Sequence, residues 1–208
     1  MPKLALIGTF YGRHEQSVAC VKRVLESTRV PDEIFLLCET PEDAINLQRF
    51  IKDPRVQLHV LSTPKNEDGT YAVIPYSYKI NFALEYTTAD YICYLDNGSM
   101  PHKEKYGRME RELRKHADGA VYCTQERTGY APGVHRANDV VVNPHSVINY
   151  TQAMHRKTDK RWTLDMKHAS PDIADALFFQ SLGVPFYPVS GEKILDTHHM
   201  ESATASGL

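Results

Sequence analysis

Short apolar runs alternate with amphipathic segments along the first 125 residues. Leu4 to Thr9 (LALIGT) is apolar until it ends at small residues, the pattern of a strand buried on both faces. From His14 to Thr28, Val18, Val21 and Leu25 recur on one helical face, and Pro31 ends the segment. Ile34 to Cys38 (IFLLC) reads as a second buried strand. Thr40-Pro41-Glu42-Asp43 combines an N-cap, a proline at the first helical position and first-turn acids, predicting a helix to about Lys52. Val56, Leu58 and Val60 alternate with polar residues, as in a half-buried third strand. Breakers fill 62–75, a helix is predicted from Ser77 to Thr87, and Tyr91 to Leu95 (YICYL) forms a fourth strand. That strand stops abruptly at Asp96-Asn97-Gly98-Ser99, and a charged helix from Lys103 to His116 leads to a fifth strand, Ala120 to Thr124.

The second half is less regular. Gln125 to Asn138, with Gly129, Pro132 and Gly133 among charges, is expected to be a mobile loop. A short strand at Val140 to Val142, helices over His145 to Arg156 and Pro171 to Leu182, and a final strand from Val184 to Val189 follow; 157–168 carries no clear period. The tail from Glu201 is small and polar and is expected to fray.

The β-α-β order implies an α/β fold with a mostly parallel central sheet and helices on both faces. The expected organisation is one domain over 1–200 and a flexible tail over 201–208. In such sheets ligands bind beyond the carboxyl ends of the strands. Unusual polar residues gather at three such ends: Thr9 to Arg13, Glu39-Thr40, and Asp96 to Ser99.

Composition narrows the partners. The net charge of −2 offers no sequence-independent grip on phosphate backbones, so no nucleic-acid partner is expected. No apolar run approaches the roughly 20 residues of a membrane span. The N-terminus enters a strand directly, without a signal-type apolar stretch. Cys20, Cys38, Cys93 and Cys123 are widely spaced inside apolar segments and form no CxxC pair, as expected of buried thiols in a reducing, cytoplasmic compartment.

The turn Gly8-Thr9-Phe10-Tyr11-Gly12-Arg13 matches neither GxGxxG nor GxxxxGK[ST]. It supplies aromatic and basic groups suited to stacking on a base and pairing with a phosphate, although Arg13 could equally just open a helix. Asp96 can serve a ribose hydroxyl or a divalent ion, or can simply form a turn. His198-His199 follows the predicted strands, and imidazole is a good ligand for manganese. Asp172 and Asp175 open a helix, where an acid complements the dipole or acts as a general base.

Taken in order, these segments resemble the GT-A glycosyltransferases, especially glycosyltransferase family 2. Thr9-Phe10-Tyr11-Gly12-Arg13 is similar to the family's "PTYNR" opening, and Glu39 to the acid that ends its second strand and holds the base. Tyr78-Lys79-Ile80-Asn81-Phe82-Ala83-Leu84 and Ala89 to Asp96 resemble its "K-x-x-A-x-N … G-E-Y-I-x-x-L-D" block. Pro171-Asp172 stands near the place of the "E-D" base motif, and His198 resembles a C-terminal metal-binding histidine. Two departures are visible: D-x-D is Asp96-Asn97-Gly98, and "E-D" is Pro171-Asp172, so either Asp172 or Asp175 is the candidate base.

The resemblance implies a GT-A, Rossmann-like domain that moves a sugar from a UDP- or GDP-linked donor to an acceptor hydroxyl on a glycan, protein or small molecule, with inversion. Thr9, Tyr11, Arg13, Glu39, Lys79, Asn81, Asp96 and Asn97 would hold the donor, Asp96 and His198 a divalent cation (Mn2+ or Mg2+), with His199 as the alternative ligand, and 125–138 the acceptor. A binding module without catalysis and a nucleotidyltransferase are the alternatives; the latter's Gly-rich basic loop is absent.

Overall fold

The computed structural model describes residues 1–129, 132–142, 148–166, 171–191 and 193–200. The first half runs β1 (Leu4–Phe10), α1 (His14–Leu25), β2 (Glu33–Cys38), α2 (Pro41–Phe50), β3 (Val56–Val60), α3 (Pro75–Tyr86) and β4 (Tyr91–Asp96). A short β5 (Ser99–Pro101), α4 (Lys105–Lys115), β6 (Ala120–Tyr122), β7 (Gln125–Gly129) and β8 (Gly133–His135) follow. A 3₁₀ turn (Tyr150–Gln152), β9 (Ala153–Arg156), α5 (Pro171–Leu182), β10 (Phe186–Pro188) and β11 (Asp196–Met200) complete the described elements.

Seven strands form the main sheet in the order β10-β6-β9-β4-β1-β2-β3. The β1, β2, β3 and β4 neighbours are parallel, as is β6 with β10, while β9 runs antiparallel between β4 and β6. Successive side chains on a strand point to opposite faces, and two cores result. Leu4, Leu6, Ile34 and Leu36 pack with residues of α1, α2 and α4 on one side. Ala5, Ile7, Phe35 and Leu37 pack with α3, α5 and the wholly enclosed Trp162 on the other. The sheet with helices on both faces is therefore as expected. A second sheet, β5-β11-β7-β8, stands beside the carboxyl end of β4.

Local chemistry accounts for the well-read elements. Thr40 caps α2 by accepting from the Asp43 amide at 3.2 Å, while Asp43 accepts from the Thr40 amide at 3.1 Å. The other oxygen of Asp43 accepts from the Gly12 amide at 2.9 Å and faces His14 Nε2 at 3.1 Å, pinning the turn between β1 and α1. That turn takes left-handed φ at both Gly12 (57°) and Arg13 (46°), a conformation costly for the arginine.

Several expectations for the second half are corrected. The loop expected over Gln125–Asn138 holds the antiparallel pair β7 and β8. Of the helix expected over 145–156, residues 143–147 lie outside the described residues, and the rest is a 3₁₀ turn followed by β9. A strand of four residues is too short to reveal its period. It carries a histidine into the sheet because His155 is neutral there: its ring lies 2.6 Å from both the Tyr94 hydroxyl and the Arg156 carbonyl, and burial lowers its pKa to about 4. The strand expected at Val140–Val142 is a single bridge from Val141 to Phe186. The last strand is β11 rather than β10, while the tail over 201–208 lies outside the described residues. Among the described residues no helix is long and apolar enough to cross a membrane.

Candidate functional site

A cavity of about 490 Å3 opens at the carboxyl ends of β1, β2 and β4. Thr9, Tyr11, Glu39, Lys79, Asp96 and Asn97, all singled out in the sequence, line it together. Glu39 ends β2 and is almost enclosed; its carboxylate accepts from the Thr63 amide at 2.8 Å and the Thr63 hydroxyl at 2.7 Å, and pairs with Lys79 from α3. Burial works against the charge of Glu39, but Lys79 and Thr63 outweigh it and hold its pKa below the ordinary value. Tyr11 is about half exposed, and its carbonyl accepts from the Asn97 amide side chain at 2.8 Å, joining the β1 and β4 turns.

Two of the expected donor residues stand elsewhere. Asn81 faces the opposite core, where its side chain donates to the Trp162 carbonyl at 2.9 Å and accepts from the Trp162 amide at 2.8 Å. Its work is to anchor the chain around residue 162. Arg13 caps α1 and does not line the cavity.

Asp96 is the most elaborately held group. One carboxylate oxygen accepts from the Gly98 amide at 2.9 Å and the Ser99 hydroxyl at 3.0 Å. The other accepts from the Tyr150 hydroxyl at 3.1 Å and faces His198 Nε2 at 3.5 Å. His199 alternates to the other face of β11, 3.0 Å from the Thr128 hydroxyl, so His198 is the one beside Asp96.

Nothing in the sequence marked Tyr150, because it lies just before the strand that reads as helix. Burial raises the pKa of its phenol well above the ordinary value, so it remains a donor to Asp96. Its ring stacks on Tyr76 with centroids 5.5 Å apart, and the two, with Tyr71 and Met166, make the rest of the cavity aromatic and apolar. Of the two candidate bases, Asp175 is partly buried on the first turns of α5 and accepts from the Ala176 amide at 2.8 Å. Burial raises its pKa to about 6, against the backbone bonds from Ala176 and Tyr150 and the charge of Arg127. The side chain of Asp172 lies outside the described residues.

The residues present fit a divalent cation as a partial shell. Asp96 Oδ2 and His198 Nε2 face one another at 3.5 Å, a carboxylate–imidazole pair of the kind manganese accepts, and each side chain is only about 15% exposed. The Nδ1 atom of His198 is buried without a hydrogen-bond partner in the described structure. Among the described residues no group of three or more His, Cys, Asp or Glu gathers, so the remaining ligands would be water and bound substrate.

No protein-family model matches the chain. Protein CgeD of Bacillus subtilis (strain 168) is 26% identical over 219 residues, covering 94% of this chain and 49% of CgeD. Among solved structures, S. aureus TarS 1-349 in complex with UDP-GlcNAc superposes with a TM-score of 0.71 over 97% of this chain, at 11% identity. The fold is GT-A. The TarS 1-349 complex with UDP gives a TM-score of 0.66 over 95% of the chain at 12% identity. This GT-A chain spans about half the length of CgeD and 59–60% of TarS 1-349.

Proposed function

We propose that this chain is a glycosyltransferase that moves a sugar from a nucleoside-diphosphate sugar to an acceptor hydroxyl, with inversion at the anomeric carbon. The observation that carries the reading is Asp96. It stands at a strand-end cavity of nucleotide-sugar size, held from four sides, on a fold shared with a protein solved with UDP-GlcNAc. That complex, together with TarS bound to UDP, favours a uridine donor over a guanosine one.

The residues divide the work. Tyr11, exposed at the mouth, stacks on the base. Lys79 and Glu39 wall the nucleoside end as a neutralised pair, and Asp96 and Asn97 face the ribose and diphosphate. Asp96 and His198 would hold a divalent cation, Mn2+ or Mg2+, which when bound neutralises the charge of a departing diphosphate. Asp175 takes the acceptor proton; a carboxylate near pKa 6 is a better base at neutral pH than an ordinary aspartate. Asp172 is the alternative base on the same helix. The acceptor, whether glycan, protein or small molecule, is placed against the β7–β8 side. The four buried, free cysteines suit a cytoplasmic site of action.

Gly98 in place of a second acid favours one competing reading, a nucleotide-sugar binder without turnover. A thermal-shift panel tests the first half of the proposal: UDP at 100 times its dissociation constant stabilises by about 2.7 kcal/mol, and NAD does not. Slow hydrolysis of UDP-GlcNAc with manganese then separates enzyme from binder. Stabilisation by NAD alone would overturn both readings.

A further inference from the structure

Below the Asp96 site lies an ion pair closed off from water. Lys105, on the first turn of α4, and Asp196, the first residue of β11, both have side chains with no exposure, and Lys105 Nζ lies 3.2 Å from Asp196 Oδ1. Lys105 Nζ donates to the Thr151 carbonyl at 2.7 Å. The other Asp196 oxygen accepts from Gln125 Nε2 at 2.7 Å and the Thr151 hydroxyl at 3.4 Å. Gln125 also donates to that hydroxyl at 2.9 Å. Burial works against the charge on Lys105, and the carboxylate of Asp196 outweighs it and raises the lysine's pKa.

The elements joined here are those that carry the partners of Asp96. Tyr150 is the neighbour of Thr151. His198 is two residues beyond Asp196 and so on the same face of β11. Ser99 sits opposite His198 in the β5–β11 register, whose other end pairs Pro101 with Asp196. Three side chains that meet Asp96 are thus mounted on segments tied to one buried charge pair. A buried pair of this kind gives little net stability over an apolar pair of similar volume, because desolvation offsets the attraction. What it does give is a demanding geometry, since a slipped strand would leave a charge unpaired.

We propose that the Lys105–Asp196 pair is a positioning device that sets Tyr150 and His198 against Asp96. Its catalytic consequence rests on the glycosyl-transfer reading, whereas the arrangement itself does not. The test replaces the pair by an apolar one, Lys105→Met with Asp196→Leu, and measures melting, donor hydrolysis and the ligand-free crystal structure.

The expected variant melts close to wild type and keeps its KM for UDP-GlcNAc, but its kcat falls about 10–100-fold, the cost of a misplacement of about 1 Å. Its crystal structure shows Tyr150 Oη or His198 Nε2 withdrawn beyond about 4 Å from the Asp96 carboxylate. A folded variant with unchanged kcat, or with both contacts in place, overturns the proposal and leaves the pair as packing. If wild type itself hydrolyses no nucleotide sugar, the glycosyl-transfer reading fails and the crystal structure alone decides the positioning role. Should the double variant not fold, Thr151→Val removes only the hydroxyl shared by Asp196 and Gln125. It is held to the same two outcomes at the Asp96 carboxylate.

Discussion

The imidazole of His198 occupies the space that a side chain at Gly98 would need: a β-carbon there would come within 2.9 Å of both Nε2 and Cδ2 of the ring, and equally close to the His199 carbonyl. The missing second acid of D-x-D is therefore tied to the histidine that approaches Asp96. Gly98→Asp is expected to push His198 away and weaken the protein by about 1–3 kcal/mol, as overpacking does. Thermal melts and calorimetry of UDP with manganese check this; a variant that melts like wild type and binds manganese–UDP more tightly would show that position 98 has room for a ligand.

Asp96→Asn keeps an acceptor for Gly98 and Ser99 but removes the charge. Turnover of UDP-GlcNAc is expected to fall by at least about 100-fold while the melting temperature changes little, since loss of one electrostatic group at a reacting centre typically costs about 3–4 kcal/mol. Wild-type turnover in a folded Asp96→Asn protein would remove the central residue of the proposed function.

Asp175 gives a pH signature of known sign. Its folded pKa, about 6, is above the unfolded value of 3.8 because burial favours the neutral acid. The stability this contributes is complete below pH 3.8 and is lost as the pH rises through 6. Asp175→Asn is therefore expected to be more stable than wild type at pH 8, by roughly 1–3 kcal/mol, and equal to it near pH 3.5. If Asp175 is the base, wild-type turnover rises with pH around a midpoint near 6 and the variant loses the reaction. Denaturant melts at the two pH values and a rate profile separate the stability effect from the chemical one.

Lys79 and Tyr11 line the same cavity but answer differently to removal. Lys79→Met leaves Glu39 buried without its counter-charge and is expected to cost about 3–5 kcal/mol of stability. Tyr11→Ala, at a half-exposed position, leaves the melt unchanged and weakens UDP by about 1–3 kcal/mol through lost stacking. The reverse pattern in melts and calorimetry would exchange their roles.

How far the sequence could be read depends on what each residue has to show. The strands Leu4–Phe10, Glu33–Cys38 and Tyr91–Asp96 are buried on both faces and bounded by polar strand ends, so both the sheet and the mouth of the cavity were legible. The β7–β8 pair was not: QERTG and GVH lie in a small, half-exposed sheet whose residues need not be apolar. Asn81 shows a different limit. It belongs to the same helix as Lys79, yet faces Trp162 rather than the cavity, and residue type alone does not distinguish an amide that binds a ligand from one that anchors a loop. Tyr150 escaped because its importance lies in a contact with Asp96, 54 positions away in the chain.

The central position of β9 also governs the order in which the chain can be assembled. Strands β1 to β4 each find a neighbour already synthesised, but β6 joins the main sheet only through β9 and β10, both of which follow it in the chain. Until Ala153–Arg156 has left the ribosome, β4 keeps an open edge and Ala120–Tyr122 has no place in that sheet. Such long-range closure is slow, and open strand edges invite pairing with other chains. A nascent or truncated chain ending before Arg156 would therefore be the species most prone to aggregate, with the edge of β4 as its point of attachment.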